Sequence, residues 1–230
     1  MIDYSKRAFI FDMDGTLVDN MRVHTEAWGV LLGENEIEMD ARDFLVKTAG
    51  RTNREIMPLV FGAISDQRIE ELAHRKESLY QELFLPIRKT VDGAIEFLEQ
   101  ATNLGVKLAV STAAPVMNVE FILDGLSLRK YFGAVITAAD VARGKPDPEI
   151  FLKAAETLSV EPKKCIVFED AIGGFQAAHR AKMQAVGIAT VNSIEDILKF
   201  DSVVEAHRDF TRLNPQRLIE KYLPFEDYAV

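Results

Sequence analysis

The segment Phe9-Ile10-Phe11-Asp12-Met13-Asp14-Gly15-Thr16 carries the strongest chemical signal in the chain. An apolar run stops abruptly at two carboxylates. Side chains at i and i+2 of an extended segment lie on one face, so Asp12 and Asp14 can converge on one point. Two like charges that close repel and are costly to desolvate, which makes a divalent cation or a shared proton the expected resident between them. Gly15 permits the tight turn that a side chain would obstruct. A calcium loop of the EF-hand kind does not fit, because Gly15 and Thr16 come too soon after Asp12 for the glycine and oxygen positions of such a loop. A strand-to-turn junction is the remaining alternative, since Asp, Gly and Thr are ordinary turn formers. The reactive reading therefore depends on partners elsewhere in the chain.

Three later segments offer them. In Val110-Ser111-Thr112-Ala113-Ala114-Pro115 a hydroxyl, with Thr112 preferred over Ser111, and the N–H groups of the coming helix could bind phosphate oxygens. Thr112 could equally be a helix cap. Gly144-Lys145-Pro146-Asp147-Pro148 presents one Lys on a rigid loop. It lacks the upstream glycine and following Ser or Thr of a P-loop, and alone it reads as a proline-rich helix start with a solvated Lys. In the company of Asp12, however, Lys145 can neutralise both a nucleophile and a transferring phosphoryl group. In Phe168-Glu169-Asp170-Ala171-Ile172-Gly173-Gly174, Asp170 can supply a hard oxygen ligand opposite Asp12, and Glu169 can hold a metal-bound water. Acidic residues that merely favour a helix dipole are the alternative there.

The elements that must position these residues follow from hydrophobic patterning. Apolar runs at residues 8–11, 106–110, 134–136, 166–168 and 185–189 are separated mostly by helical periodicity. That alternation predicts an α/β fold with a parallel, doubly wound sheet, whose ligands bind at the carboxyl ends of the strands. Helix starts are marked by Asp92, by Pro115, and by Pro146 with Pro148. Between Asp14 and Val106 no strand is evident, although a β-α-β crossover needs only about thirty residues in all. The excess predicts an insertion over residues 20–87, with helical patterns at 24–32, 54–61 and 67–84. Residues 1–19 and 88–230 then form the core domain, and the small helical domain sits over the carboxylates, where it could exclude water and contact substrate. Residues 213–223 read as a last covering helix.

The 230 residues suffice for one domain plus an insertion, and 48% hydrophobic with 27% charged residues is ordinary globular composition. A net charge of -9 argues against nucleic acid or an anionic membrane as partner, so an anionic substrate must be held locally. The single Cys165 excludes an internal disulfide and reads as a buried strand residue. No run is long enough to span a bilayer, and the N-terminal apolar run is too short for a signal peptide, which makes a cytoplasmic location the default expectation. No exposed apolar stripe stands out, so a monomer is expected.

Strand ends carrying Asp-x-Asp, Thr, Lys and Glu-Asp in this chain order resemble the haloacid dehalogenase superfamily of aspartyl phosphotransferases, over essentially the whole chain. The resemblance implies a Rossmann-like parallel sheet core with an inserted small α-helical cap domain and bound Mg²⁺. It further implies that Asp12 is the nucleophile and that Asp14 is the general acid/base, also binding the metal through its backbone carbonyl. Thr112, Ala113 and Lys145 would bind phosphate, and Asp170 would ligate the metal with Glu169 assisting.

Within that superfamily the chain is similar to the branch holding β-phosphoglucomutase and small sugar phosphatases. Val23-His24-Thr25-Glu26-Ala27-Trp28 matches that branch's His and Trp, Gly50-Arg51-Thr52-Asn53-Arg54-Glu55 its substrate loop, and Arg75-Lys76 its cap Lys. The match implies that His24, Trp28, Gly50, Arg54 and Lys76 contact substrate. Ala171 and Lys182 stand where the pattern usually has Ser and Gly, and neither change removes a reacting group. Thr16 after Gly15 is commoner in the phosphatases than in the mutase.

The resulting expectation is Mg²⁺-dependent phosphoryl transfer through an aspartyl-phosphate, ending in hydrolysis of a small phosphorylated metabolite such as a sugar phosphate. Asp14 would protonate the leaving alkoxide and later take a proton from water, which calls for a pKa above that of an exposed Asp. A hexose phosphate mutase is the alternative, with a non-catalytic phosphosugar-binding protein more remote. Dehalogenation at carbon would leave Asp14 and Asp170 unexplained.

Overall fold

The computed structural model describes residues 3–38, 44 and 53–223. Six strands, β1 (Ala8–Phe11), β2 (Lys107–Ser111), β3 (Ala134–Ile136), β4 (Cys165–Glu169), β5 (Gln184–Ile188) and β6 (Val203–His207), form one parallel sheet in the order β3-β2-β1-β4-β5-β6. In β1 the alternation sends Phe9 and Phe11 to one face and Ala8 and Ile10 to the other, and all four are buried. Strands buried on both faces read as continuous apolar runs, which is why the first five are legible in the sequence.

One face of the sheet is aromatic. Phe11 stacks on Phe168 with ring centroids 4.5 Å apart, and Phe97 and Phe210 complete the layer. This packing sits directly beneath the carboxyl ends of β1 and β4. The opposite face packs Ile10, Val167, Phe151 and Phe175. The order of the strands reverses at β1, so those two adjacent ends form the crevice where open α/β sheets bind ligands.

Between β1 and β2 lie α1 (Met21–Glu34), α2 (Asn53–Phe61) and α3 (Asp66–Phe84). The buried positions of α3 include Ile69, Leu72, Lys76, Leu79 and Tyr80, a stripe at helical spacing that faces α1 through Ala27, Trp28 and Leu31. Lys76 thus occupies a position where an apolar residue is the ordinary occupant. The later helices are α4 (Ala94–Asn103), α5 (Val116–Val119), α6 (Glu149–Thr157), α7 (Ile172–Arg180), α8 (Ile194–Ile197) and α9 (Pro215–Tyr222). No helix among the described residues is long and apolar enough to cross a membrane.

The edge strand β6 carries no apolar signature in the sequence, because all five of its residues are only half-buried and form no continuous apolar run. A polar clasp holds it. Glu205 accepts from both terminal nitrogens of Arg217 on α9, at 2.7 and 2.5 Å, and from the Tyr222 hydroxyl at 2.8 Å. Arg217 leads in holding the Glu205 carboxyl well below the usual range. A carboxyl depressed in the folded state stabilises fully above the ordinary glutamate range and loses that contribution as pH falls below it. Glu205→Gln is therefore expected to lower the melting temperature near neutrality and to flatten its decline in acid, as read by thermal denaturation from pH 7 to 3.

Candidate active site

Asp12 is the first residue past β1, and its N–H still bonds to the Phe168 carbonyl at 2.9 Å, so the β1–β4 ladder carries it to the crevice. The chain then turns sharply, with Leu17 and Val18 N–H groups returning to the Met13 carbonyl. Gly15 makes the turn at φ +83°, and a Cβ there would lie 2.3 Å from Asp170 Oδ2. Glycine is thus required twice at this position, by conformation and by space. Two side chains fasten the turn to its surroundings: the Thr16 hydroxyl donates to Asp170 Oδ1 at 3.1 Å and the Thr190 hydroxyl to the Gly15 carbonyl.

Glu169 ends β4, and Asp170 follows. Glu169 Oε2 accepts from the backbone N–H groups of Asp170 and Ala171, both at 2.8 Å, while Asn192 donates to the Asp170 carbonyl. The Lys145 ammonium reaches across from its proline-bounded loop to Asp12 Oδ1 and Glu169 Oε1, each at 2.5 Å. Ligand oxygens of Asp12, Glu169 and Asp170 lie within 4.8 Å of one another, all buried.

Three carboxyl groups thus cluster in a buried place around one ammonium, which touches Asp12 and Glu169. Burial, followed by the neighbouring Glu169, raises the Asp12 carboxyl to about 8 even though Lys145 pulls the other way. Burial first, then Glu169 and Asp12, push Asp170 well above the normal range. Burial opposes the charge on Lys145, but Asp12 and Glu169 together overcome it and raise the Lys145 pKa. The cluster is short of about two positive charges, and its donors are hard oxygens. Both properties fit a divalent cation of the magnesium type.

Gly174, on the first turn of α7, guards this arrangement, since a Cβ there would lie 1.9 Å from Glu169 Oε1. Gly174→Ala is expected to push Glu169 off Lys145 and to weaken divalent-cation binding, read by calorimetric titration of Mg²⁺, roughly 10- to 100-fold, the range for outer partners of a metal site. Unchanged circular dichroism alongside the titration would separate this from unfolding.

Asp14 faces the helical insertion. Asn20 donates to it at 2.6 Å and to the Tyr80 hydroxyl, and accepts from Gly15 N–H at 3.1 Å. Asn20 holds the N-cap position of α1 yet makes no capping bond, because its side chain is committed to this corner. His24 stacks flat on Tyr80 at 3.8 Å and brings Nε2 to 3.7 Å from Asp14 Oδ1. Its Nδ1 lies 2.8 Å from the Lys76 ammonium. An ammonium has only donors, so Nδ1 accepts and the ring proton sits on Nε2, toward Asp14.

The expectation that Asp14 has a raised pKa is corrected by these contacts. Burial does push it up, but the His24 imidazole with its N–H turned toward Asp14, the Asn20 amide and the Lys76 ammonium outweigh burial and hold Asp14 below its ordinary value. In this arrangement Asp14 is poised as a base. It becomes an acid only after gaining a proton and losing the grip of His24.

Thr112 follows β2 and is buried. Its hydroxyl accepts from Ala114 N–H at 3.0 Å, so the local turn uses it, and Ala113 beside it is exposed. Trp28 lies inside the insertion, against Phe44 and 5.7 Å from the Lys76 nitrogen. Arg54 is not brought to the carboxylates: its side chain is 63% exposed and pairs with Asp66 and Glu70 at 3.6 Å. Gly50 lies outside the described residues.

Contacts that the motifs did not reveal are those of Asn20, Tyr80, Thr190, Asn192, Glu77 and Asn118. The stripe on α3 held a usable signal for one of them, because Lys76 among Ile69, Leu72 and Leu79 demands a buried counter-charge, which Glu77 supplies.

A family model for haloacid dehalogenase-like hydrolases matches residues 6–182. The chain is 34% identical over 197 residues to validoxylamine A 7'-phosphate phosphatase of Streptomyces hygroscopicus subsp. limoneus, covering 85% of this chain and 92% of that one. It is 33% identical over 213 residues to β-phosphoglucomutase of Bacillus subtilis, covering 89% and 92%. A solved HAD hydrolase of family IA, variant 3, from Entamoeba histolytica superposes with a TM-score of 0.84 at 26% identity, over 93% of this chain and 98% of that chain.

Proposed function

The chain belongs to the haloacid dehalogenase-like hydrolase family, and from that premise we propose that it is a Mg²⁺-dependent phosphatase of a small phosphorylated metabolite, working through an aspartyl-phosphate on Asp12. The observation that carries this reading is the meeting of Asp12, Glu169, Asp170 and Lys145 at the switch point of the sheet.

Asp12 and Asp170 would hold Mg²⁺, joined by the Asp14 carbonyl and assisted by Glu169; when bound, the cation supplies the positive charge that lets one anion approach another. The residues do the rest. Lys145, already on the Asp12 oxygen, orients that carboxylate and accompanies the charge of the incoming phosphoryl oxygens. A carboxylate oxygen of Asp12 forms a bond to phosphorus as the ester oxygen leaves, and Asp14 delivers a proton to that alkoxide. In the second half, water attacks the same phosphorus, Asp14 takes its proton, and the Asp12 carboxylate is released with inorganic phosphate. Tyr80, His24 and the α3 stripe shield Asp14 from bulk water during both transfers.

The mutase alternative draws support from Lys76, a buried cation that His24 links to Asp14. A phosphate-release screen over sugar phosphates, pyrophosphate and nucleotides with Mg²⁺, beside a hexose phosphate isomerisation assay, tests the choice. Free phosphate as the product is expected. Isomerised sugar phosphate after priming by a hexose bisphosphate would establish the mutase, and tight binding without turnover would establish a binding protein.

A further inference from the structure

Lys76 cannot be counted as an available cation. Its nitrogen lies 2.8 Å from His24 Nδ1, 3.0 Å from Glu77 Oε1 and 3.2 Å from Glu77 Oε2, so each of its three N–H bonds has a partner. Lys76 and Glu77 side chains are both 4% exposed. Glu77 is in turn fixed from two sides, by Asn53 of α2 on Oε1 and by Asn118 of α5 on Oε2 at 2.6 Å. Gln81 completes the chain by donating to the Asn118 side chain and the Met117 carbonyl. A charge-neutral network of amides and one ion pair therefore joins the cap to the loop after β2, one imidazole away from Asp14.

We propose that Glu77 is a specificity-determining residue that cancels Lys76, so that the site accepts the monophosphate of a polyhydroxy compound and discriminates against a second phosphate. This rests on the phosphatase reading above. A second phosphate brings about two further negative charges, and a buried cation already paired with a carboxylate has little left to attract it. Hydroxyl groups are different. They donate and accept, and can exchange into the Asn53, Glu77, Asn118 and Gln81 network without leaving a charge unpaired. Within the mutase alternative the same pair is an obstacle, because the distal phosphate would have to break it.

The test compares glucose 6-phosphate with glucose 1,6-bisphosphate. Both are titrated calorimetrically with Mg²⁺ into Asp12→Asn protein, which reads binding without turnover, and both are used as inhibitors of p-nitrophenyl phosphate hydrolysis by protein with Asp12 intact. The bisphosphate is expected to bind no more tightly than the monophosphate. Glu77→Gln keeps the shape, while Lys76 is left with its charge. That variant is expected to shift the affinity ratio at least 10-fold toward the bisphosphate.

The double variant Lys76→Gln/Glu77→Gln, which removes the ion pair and keeps the network neutral, provides a second arm should Glu77→Gln not fold, and is expected to leave the affinity ratio unchanged. A ratio unmoved by Glu77→Gln, or a selective 10-fold loss of bisphosphate in the double variant, overturns the proposal. Absence of p-nitrophenyl phosphate hydrolysis would instead overturn the phosphatase reading, and the calorimetric ratio would still report on Glu77.

Discussion

Asp12→Asn is expected to lower kcat on any phosphomonoester by on the order of 10⁴-fold or more, the scale on which loss of a covalent nucleophile operates. The amide is isosteric and cannot form the acyl bond to phosphorus. Loss of stability should not accompany loss of turnover. Asp12 sits where burial and Glu169 disfavour its charge, so removing that charge relieves part of the excess of negative charge. In a metal-chelating buffer the variant should melt no lower than the unaltered protein. A variant that is inactive because it is unfolded, or one that retains more than a few per cent of activity, would contradict the assignment of Asp12.

Withdrawal of the divalent cation is expected to make stability fall steeply with rising pH. Asp12 and Asp170 hold their protons to higher pH when folded than when unfolded. The folded state then binds more protons, and stability declines as pH rises from the ordinary aspartate range, continuing until about 8 for Asp12. Over pH 5 to 8 the loss should be on the order of a few kcal/mol, or roughly 5–10 °C in melting temperature for a chain of this size. Saturating Mg²⁺ replaces those protons, so the slope should vanish and the protein should gain about 2.7 kcal/mol at a hundred times the dissociation constant. The clasp at Glu205 acts at lower pH and with the opposite sign, so the two limbs separate in one titration. Identical profiles with and without Mg²⁺ would show that the carboxylates do not take a cation.

The residues that could be read from sequence are those where local composition contradicts a plain scaffold. Asp12 and Asp14 end an apolar strand, Glu169 and Asp170 end another, and both strands are buried on two faces, so their ends declare themselves. Lys145 gains meaning only by distance from Asp12, which no local pattern contains. The edge strand at Val203–His207 escaped because half-burial leaves no periodic signature. The direction of the Asp14 pKa is not legible in its own segment, because it depends on His24, Asn20 and Lys76, contributed by α1, its preceding residue and α3. Arg54 matched a substrate loop by spacing, yet Asp66 and Glu70 hold it on the exposed side of the cap. Pairings between elements, such as Glu77 with Asn118, are set by packing and are invisible to motif spacing.

In the proposed reaction, phosphorus is transiently joined to one carboxylate as an acyl phosphate. Rapid acid quenching of a turnover reaction, borohydride reduction of acyl phosphates and peptide mass spectrometry would locate that ester, since reduction converts a phosphorylated aspartate to homoserine. Homoserine is expected at position 12, in place of Asp12, dependent on Mg²⁺ and substrate. Steady release of phosphate with Asp12 unreduced, or with the label on another residue, would contradict it.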